Sequence, residues 1–488
     1  MNKLRKNVIY QMAYRILTII TPLITAPYLS RTLGANCLGI YSYTLSSVNY
    51  FVLFAMLGTE TYGNREIARV SAHGNADELS QTFWEIYTLQ ICSSLMAIGA
   101  YLIYVIFVNE NRLIALLQGI WLISTMLDIN WFFFGIEQVR YTVTRNFMVK
   151  AASVVCILLF IKSEKDLILY VVIMGASIAC SQIFMWIYLK KFIHYKKVKK
   201  NNIVKHLKPN LMLFIPVIGS SVYYIMDKSM LGWLSTYTEL GYYYNSDKVI
   251  NIPLGLITGL GTVFLSRMSK LYEAKDKGAE QALLKKSVEL YTFMSAALSF
   301  GIAAVAKEFV PIFFGAGYER CILLLMFFAP IMLLKAWNDL MKYQCLLPHN
   351  QEKLYTIAVF CGAGANIIAN YILINLYGAL GAVLGTGVAE LTICIVELYF
   401  LRNSVSIEMF ASNWFYIVLA IAMLIAIRSF ATQVTCATMI KLCLEILLGA
   451  GIYMVGCMVY WRLDKKSALG TMMKSAVKNV CDAHAFRQ

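Results

Sequence analysis

The sequence predicts an all-α polytopic membrane protein with about 14 transmembrane helices, built as two parallel six-helix repeats plus two further C-terminal helices. Three observations carry that prediction. Apolar stretches long enough to cross a bilayer follow one another along the chain, short motifs recur at an offset of 202 to 204 residues, and charged residues stand inside several of the apolar stretches.

A helix needs about 20 mostly apolar residues to cross roughly 30 Å of hydrocarbon. Such stretches fall near 8–30, 39–58, 83–108, 113–134, 147–162, 167–189 and 211–233, then near 241–265, 288–306, 321–341, 354–376, 378–400, 414–431 and 440–461. The first follows Lys3, Arg5 and Lys6 and is not closed by a small-residue cleavage site, so it is read as a retained span rather than a signal peptide. The chain is 59% hydrophobic and 14% charged, with a mean hydropathy of +0.64, outside the range of a soluble domain. The longest connectors, near 190–210 and 266–287, are too short to bury a globular core. That excludes a soluble catalytic domain. Pro22, Pro27, Pro216, Pro253 and Pro330 lie inside spans, and Gly255, Gly259 and Gly261 crowd the eighth. These residues mark expected bends.

The repeat sets the domain plan. Leu38, Gly39 and Tyr41 recur as Leu240, Gly241 and Tyr243, and Arg65 recurs as Arg267, each 202 residues apart. Glu85-Ile86-Tyr87-Thr88 recurs as Glu289-Leu290-Tyr291-Thr292, 204 apart. The expected divisions are therefore 1–200 and 201–402, two more helices in 403–462, and a tail from 463 to 488. An even number of spans per half makes the repeat parallel about an axis along the membrane normal, with a substrate path expected at its interface.

A net charge of +16 invites a nucleic-acid partner, but the placement of the charges argues against one. Most of the 43 Lys and Arg residues fall in the inward connectors and tails, the positive-inside bias, which puts both termini in the cytoplasm. The run Lys190, Lys191, Lys196, Lys197, Lys199, Lys200, Lys205 and Lys208 is read as a topology anchor on anionic lipid headgroups. The 12 cysteines show no metal or redox spacing, and the 5 histidines lie in connectors or the tail. With no nucleotide loop, metal cluster or nucleophile constellation in view, no catalytic residue, metal or cofactor is assigned.

Arg15, Asp128, Asp227, Lys228, Asp247, Lys248, Lys335, Asp339 and Glu390 are not needed by a membrane wall. Each costs about 2.5–3.5 kcal/mol at a helix centre on insertion scales, so such residues face a bundle interior or a watery path. Arg15, Arg31, Asp227, Lys228, Asp247, Lys248 and Lys335 are the candidate substrate-binding residues. Asp128, Glu60, Arg65, Asp339 and Glu390 are the candidates for gating or ion coupling. Asp227-Lys228 and Asp247-Lys248 sit on consecutive spans, where cross-pairing such as Asp227 with Lys248 competes with a substrate role. Glu390 and Glu397 share a helix face and either carry a coupled proton or pair with Lys335. The combination implies a transporter.

Several stretches resemble the Wzx-type oligosaccharide flippases of the multidrug/oligosaccharidyl-lipid/polysaccharide exporter superfamily. They are Pro22 to Arg31 with Leu33-Gly34 and Gly39-Ile40-Tyr41-Ser42-Tyr43, continuing through Tyr62-Gly63-Asn64-Arg65-Glu66-Ile67-Ala68; Asp128-Ile129-Asn130-Trp131 with Gly135-Ile136-Glu137 and Arg145-Asn146; Tyr224 to Lys228 with Leu231-Gly232-Trp233; and Gly241-Tyr242-Tyr243 through Asp247 to Gly255. Phe313-Phe314-Gly315, Gln344, Pro348, Gly362, Asn366 and Glu390 extend the resemblance to about residue 400.

The resemblance implies two six-helix bundles around a central cavity that opens alternately to either side of a bacterial cytoplasmic (inner) membrane. Its implied substrate is an undecaprenyl-pyrophosphate-linked oligosaccharide for O-antigen, capsule or a similar polymer. A polysaccharide polymerase and a chain-length regulator are the implied protein partners. A drug or cation exporter and a lipid II flippase are alternatives within the superfamily. A membrane polysaccharide polymerase or glycosyltransferase is the alternative from another class.

Overall fold

The computed structural model describes residues 20–402, 405–464, 467 and 469–471. All regular structure among the described residues is helical. Twelve of these helices are long and apolar enough to cross a membrane, or up to 13 when one bent pair counts as a span. Most of the first expected span, 8–30, lies outside the described residues, and its end forms a helix over 20–32, here α1.

The chain divides into two compact units, Met1–Tyr244 and Asn245–Gln488. In the first, α1 leads into α2 (Gly34–Met56), α3 (Thr59–Ser71), α4 (Ala76–Phe107), α5 (Arg112–Met126), the short α6 (Asn130–Gly135), α7 (Val139–Phe160), α8 (Leu167–Leu189) and α9 (Lys200–Leu234). Helix α2 packs on α4, α5 and α9, while α5 and α7 both lean on α8. Helix α9 bends by 41° between Asn201–Ile215 and Val217–Leu234, where residue 216 is proline and cannot supply a backbone donor.

The second unit takes the body of α10 (Tyr237–Glu273), then α11 (Lys277–Phe313), α12 (Arg320–Met341), a π-helical turn (Lys342–Leu346), α13 (Glu352–Tyr377), α14 (Ala379–Phe400), α15 (Ile407–Ala411), α16 (Trp414–Gln433) and α17 (Thr438–Leu463). Helices α13 and α14 form a tight hairpin through Gly378, which adopts φ 61°. Helix α11 carries both α12 and the final pair α16–α17.

The expected connector at 266–287 is almost wholly helical. Helix α10 runs on to Glu273, and Asp276 caps α11 by accepting from the Ala279 amide at 2.9 Å. The matching start in the first half, α4, is capped by Asn75, which accepts from the Asp77 and Glu78 amides. Both long helices thus begin about two to three polar turns before their apolar run, and hydropathy alone misses those turns.

Large apolar side chains stand outward along these helices, among them Met96, Phe107, Phe160, Leu447 and Leu463. Apolar surface of this extent matches a lipid solvent. The described cysteines are free thiols.

The repeat motif also shows where helices cross. A Cβ built on Gly39 would lie 1.7 Å from the Tyr237 carbonyl oxygen, and one built on Gly241 would lie 1.9 Å from the Ala35 carbonyl oxygen. Gly39 and Gly241 are 202 residues apart, and so are Ala35 and Tyr237. The start of α2 and the start of α10 therefore touch reciprocally, backbone on backbone, at equivalent places in the repeat.

Candidate functional site

Two polar regions form inside the first unit. Asp227 on α9 is 5% exposed and accepts a hydrogen bond from the Tyr243 hydroxyl at 2.9 Å. Next to it, the half-buried Lys228 ammonium lies 5.9 Å from the Tyr244 ring centroid. Tyr50 of α2 approaches the same turn of α9, its hydroxyl 3.6 Å from Met226 Sδ. Adjacent residues on a helix point about 100° apart, so Asp227 and Lys228 take separate partners.

The second region surrounds Asp128. Its half-buried carboxylate accepts from the Asn130 amide at 2.8 Å, breaking the chain between α5 and α6. Arg145 of α7 lies close by, 6% exposed, with its guanidinium donating to Asn130 Oδ1 at 3.1 Å and Asn146 Oδ1 at 2.7 Å. Gln182 of α8 stands 3.4 Å from the same group. The Asp128 carbonyl accepts from Gln90, whose own oxygen receives the buried Trp131 indole N–H at 2.9 Å. A Cβ on Gly63 would come within 2.6 Å of the Trp131 ring. The stretches 62–68 and 128–137, read separately in sequence, pack on each other.

A third buried group was not a sequence candidate. Glu85 of α4 is fully buried and takes donors from Gln81 (2.8 Å), Asn202 (2.6 Å), Lys205 (2.9 Å) and His206 (3.0 Å). His206 Nδ1 lies 2.6 Å from the Tyr62 hydroxyl. Its repeat counterpart, Glu289 of α11, accepts from the Tyr416 hydroxyl at 2.7 Å and from Ser467 Oγ at 2.5 Å. Both copies of the motif use one carboxylate to fasten a later helix, but the helix differs: the polar start of α9 in one case, α16 and the residues after α17 in the other.

In the second unit, Lys335 of α12 is 7% exposed and lies 4.0 Å from Glu390 Oε1 of α14. Asn338 donates to Glu390 Oε2 at 2.8 Å. Asp339 is half-buried one residue on, and Glu397 lies fully buried two turns along α14. Asp247 accepts from Asn251 at 2.8 Å, and Lys248 beside it is half-buried. A separate network sits at the far end of α11. There Arg428 of α16 bonds Glu308 at 2.5 Å and approaches Glu445 of α17 at 3.5 Å, while Lys441 reaches Glu308 at 3.3 Å.

The structure thus gathers Asp128 with Arg145, Asp227 and Lys228 with three tyrosines, and Lys335 with Asp339 and Glu390. Arg31, Glu60 and Arg65 are exposed. Arg15 lies outside the described residues. Arg145, Glu85, Glu308 and Glu445 are buried charges, and Arg428 a half-buried one, that sequence reasoning passed over. Arg145 had a visible signal: it stands two residues before an apolar run, so one extra helical turn carries it inside.

Helices with lipid-facing apolar surfaces and buried, mutually partnered charges define a multi-pass membrane transporter. Residues 4–272 match the family described as "Polysaccharide biosynthesis protein". The chain belongs to this family and, with it, to the Wzx-type branch of the exporter superfamily whose motifs its sequence resembles.

It is 24% identical over 413 residues to the protein named "Putative O-antigen transporter" in Escherichia coli (strain K12), covering 82% of this chain and 97% of that one. It is 22% identical over 244 residues to the "Probable low-salt glycan biosynthesis flippase Agl15" of Haloferax volcanii, covering 50% and 52%. Among solved structures, the lipid II flippase MurJ in an inward closed conformation matches with a TM-score of 0.72 at 14% identity, over 93% of this chain and 98% of that one. An inward-facing multidrug MATE transporter matches with a TM-score of 0.60 at 12% identity, over 80% and 98%. At such identities the likeness is one of fold.

Proposed function

We propose that the chain flips undecaprenyl-pyrophosphate-linked oligosaccharide repeat units across the bacterial cytoplasmic membrane by alternating access, supplying a surface polysaccharide. In this reading both termini face the cytoplasm, and a polymerase and a chain-length regulator act on the product. The observation that carries it is the set of cations standing within apolar spans, Lys228, Lys248 and Lys335, in a chain whose relatives are named transporters and flippases.

The chemistry follows from what must be sheltered. The polyprenyl tail stays in lipid, whereas each unpaired sugar hydroxyl or phosphate oxygen costs several kcal/mol in hydrocarbon. Ammonium groups meet the pyrophosphate as point charges, and Asn, Gln and Tyr side chains meet the sugar. No bond is made or broken. Lys248 precedes Pro253 and Gly255 in α10, where a bend moves it between two settings.

The test is complementation of a flippase-null strain, with membrane protein level measured beside surface polymer. Lys248→Ala is expected to abolish export at normal protein level, and Lys248→Arg to keep part of it, since charge is retained while geometry changes. Full export by Lys248→Ala would overturn the role given to this lysine. Failure of the intact chain to complement with any lipid-linked glycan, together with efflux of organic cations, would favour drug export instead.

A further inference from the structure

Glu397 on α14 stands apart from every other described carboxylate in the second unit. It is fully buried, and neither of its oxygens has a hydrogen-bond partner. The groups that face it are Glu390 and Cys394 on its own helix, Asp339 on α12, Lys342 and Cys345 in the π-helical turn, and Tyr355 on α13. Lys342, the one cation of that set, also stands against two aromatic rings. Its ammonium lies 4.8 Å from the centroids of both the Tyr343 and Tyr355 rings. An ionised carboxylate buried without partners is prohibitively costly, so such a group carries its proton.

A cavity of about 210 Å³ lies at the end of α14, one turn past Glu397, lined by Lys277, Glu280, Gln344, Cys345, His349 and Leu401 among others. Leu401 is one turn beyond Glu397, and Cys345 faces both Glu397 and Glu280. That volume holds several waters. Gln344 lines the cavity fully buried, with neither its oxygen nor its nitrogen bonded. At the mouth, His349 Nε2 is 2.8 Å from Glu280 Oε1 and its Nδ1 is 2.5 Å from the Cys345 carbonyl. Both ring nitrogens thus face oxygens. The lining segment Lys342–Leu346 is π-helical, a local distortion frequent at functional sites.

We infer that Glu397 is a proton-exchange site, and that the cavity beneath Gln344 connects it to the connector side of the second unit through His349 and Glu280. The exchange is a simple transfer. The carboxyl O–H of Glu397 gives its proton to a water of the cavity, leaving a carboxylate that Lys342 stands near enough to steady. The proton leaves by way of the His349–Glu280 pair, and the reverse sequence reloads the site. What the proton is used for, coupling to transport, rests on the flippase reading; the site itself does not.

The test therefore uses no substrate. The intact chain in lipid nanodiscs is examined by infrared difference spectroscopy for the carbonyl band of a protonated carboxylic acid and for its shift in heavy water. Wild type is expected to show a band at neutral pH that Glu397→Gln removes and Glu397→Asp restores. Gln344→Ala and His349→Ala are expected to keep the band but slow its deuterium shift. A spectrum unchanged by Glu397→Gln overturns the site, and unchanged exchange in both cavity variants overturns the route. Polymer export measured on the same variants separates the two proposals. Export that needs the chain while the band is missing overturns only this inference, and a present band in a chain that never complements overturns only the flippase reading.

Discussion

Replacing Gly39 with alanine places a methyl carbon 1.7 Å from a backbone carbonyl oxygen on α10. Ordinary contact begins near 3.4 Å. The obstacle is main chain and cannot rotate aside, so the two helices must part by roughly 1.5 Å, where a gap of 0.5–1 Å already forfeits a quarter to a half of each dispersion contact. Overpacking of this kind costs about 1–3 kcal/mol, and an unyielding carbonyl puts this site at the upper end. Gly241→Ala meets the Ala35 carbonyl at 1.9 Å and should cost about the same.

The decisive variant is the double one. A single separation of the helices accommodates both methyl groups, so Gly39→Ala/Gly241→Ala should be less destabilised than the two single costs added together. Thermal unfolding of the detergent-purified chain measures all three variants, and complementation of export measures the functional cost. If both single variants unfold at the wild-type temperature and export fully, the helices are not in backbone contact and the reasoning fails.

Arg428→Met strips Glu308 and Glu445 of their shared cation and should cost about 3–5 kcal/mol, seen as a lower unfolding temperature. Adding Glu308→Leu and Glu445→Leu should recover most of that loss, and no recovery would mean the network is not the cause. Glu85→Ala removes the acceptor of Asn202, Lys205 and His206, so limited proteolysis in the 196–202 segment should speed up; cleavage at the wild-type rate counts against the anchor. Lys335→Met should reduce membrane protein level by removing the cation beside Glu390, and Lys335→Met/Glu390→Gln should restore the level. A double variant as scarce as the single one would show that the ion pair is not what the lysine serves.

Spans read from hydropathy match the helices best where the bilayer alone sets the length. The stretches near 354–376, 378–400 and 414–431 correspond to Glu352–Tyr377, Ala379–Phe400 and Trp414–Gln433 within two residues. They match worst where a helix continues into water. Helices α10 and α11 each run 37 residues because polar turns capped or packed at one end extend the hydrogen-bonded ladder past the apolar run.

The candidate site divides in the same way. That Asp227, Lys335 and Glu390 are special followed from the cost of their burial. Their partners Tyr243 and Asn338 had no such signal, because a tyrosine or asparagine inside a span is cheap. Glu85 and Glu289 were visible only as copies of a motif. Asn202, Lys205 and His206 lie more than 110 residues from Glu85, and so do Tyr416 and Ser467 from Glu289, a separation that no periodicity reports.

The reciprocal contact of Gly39 and Gly241 bears on how such a chain arose. A surface that meets an identical copy of itself across a two-fold axis is the signature of an isologous dimer. A half-length ancestor would have carried that glycine once and met it on a second molecule, both inserted with the same orientation. Fusion of two such genes would turn an association between two molecules into an internal crossing, free of any dependence on concentration. It would also have released the two copies of other motifs to take new partners, as Glu85 and Glu289 do.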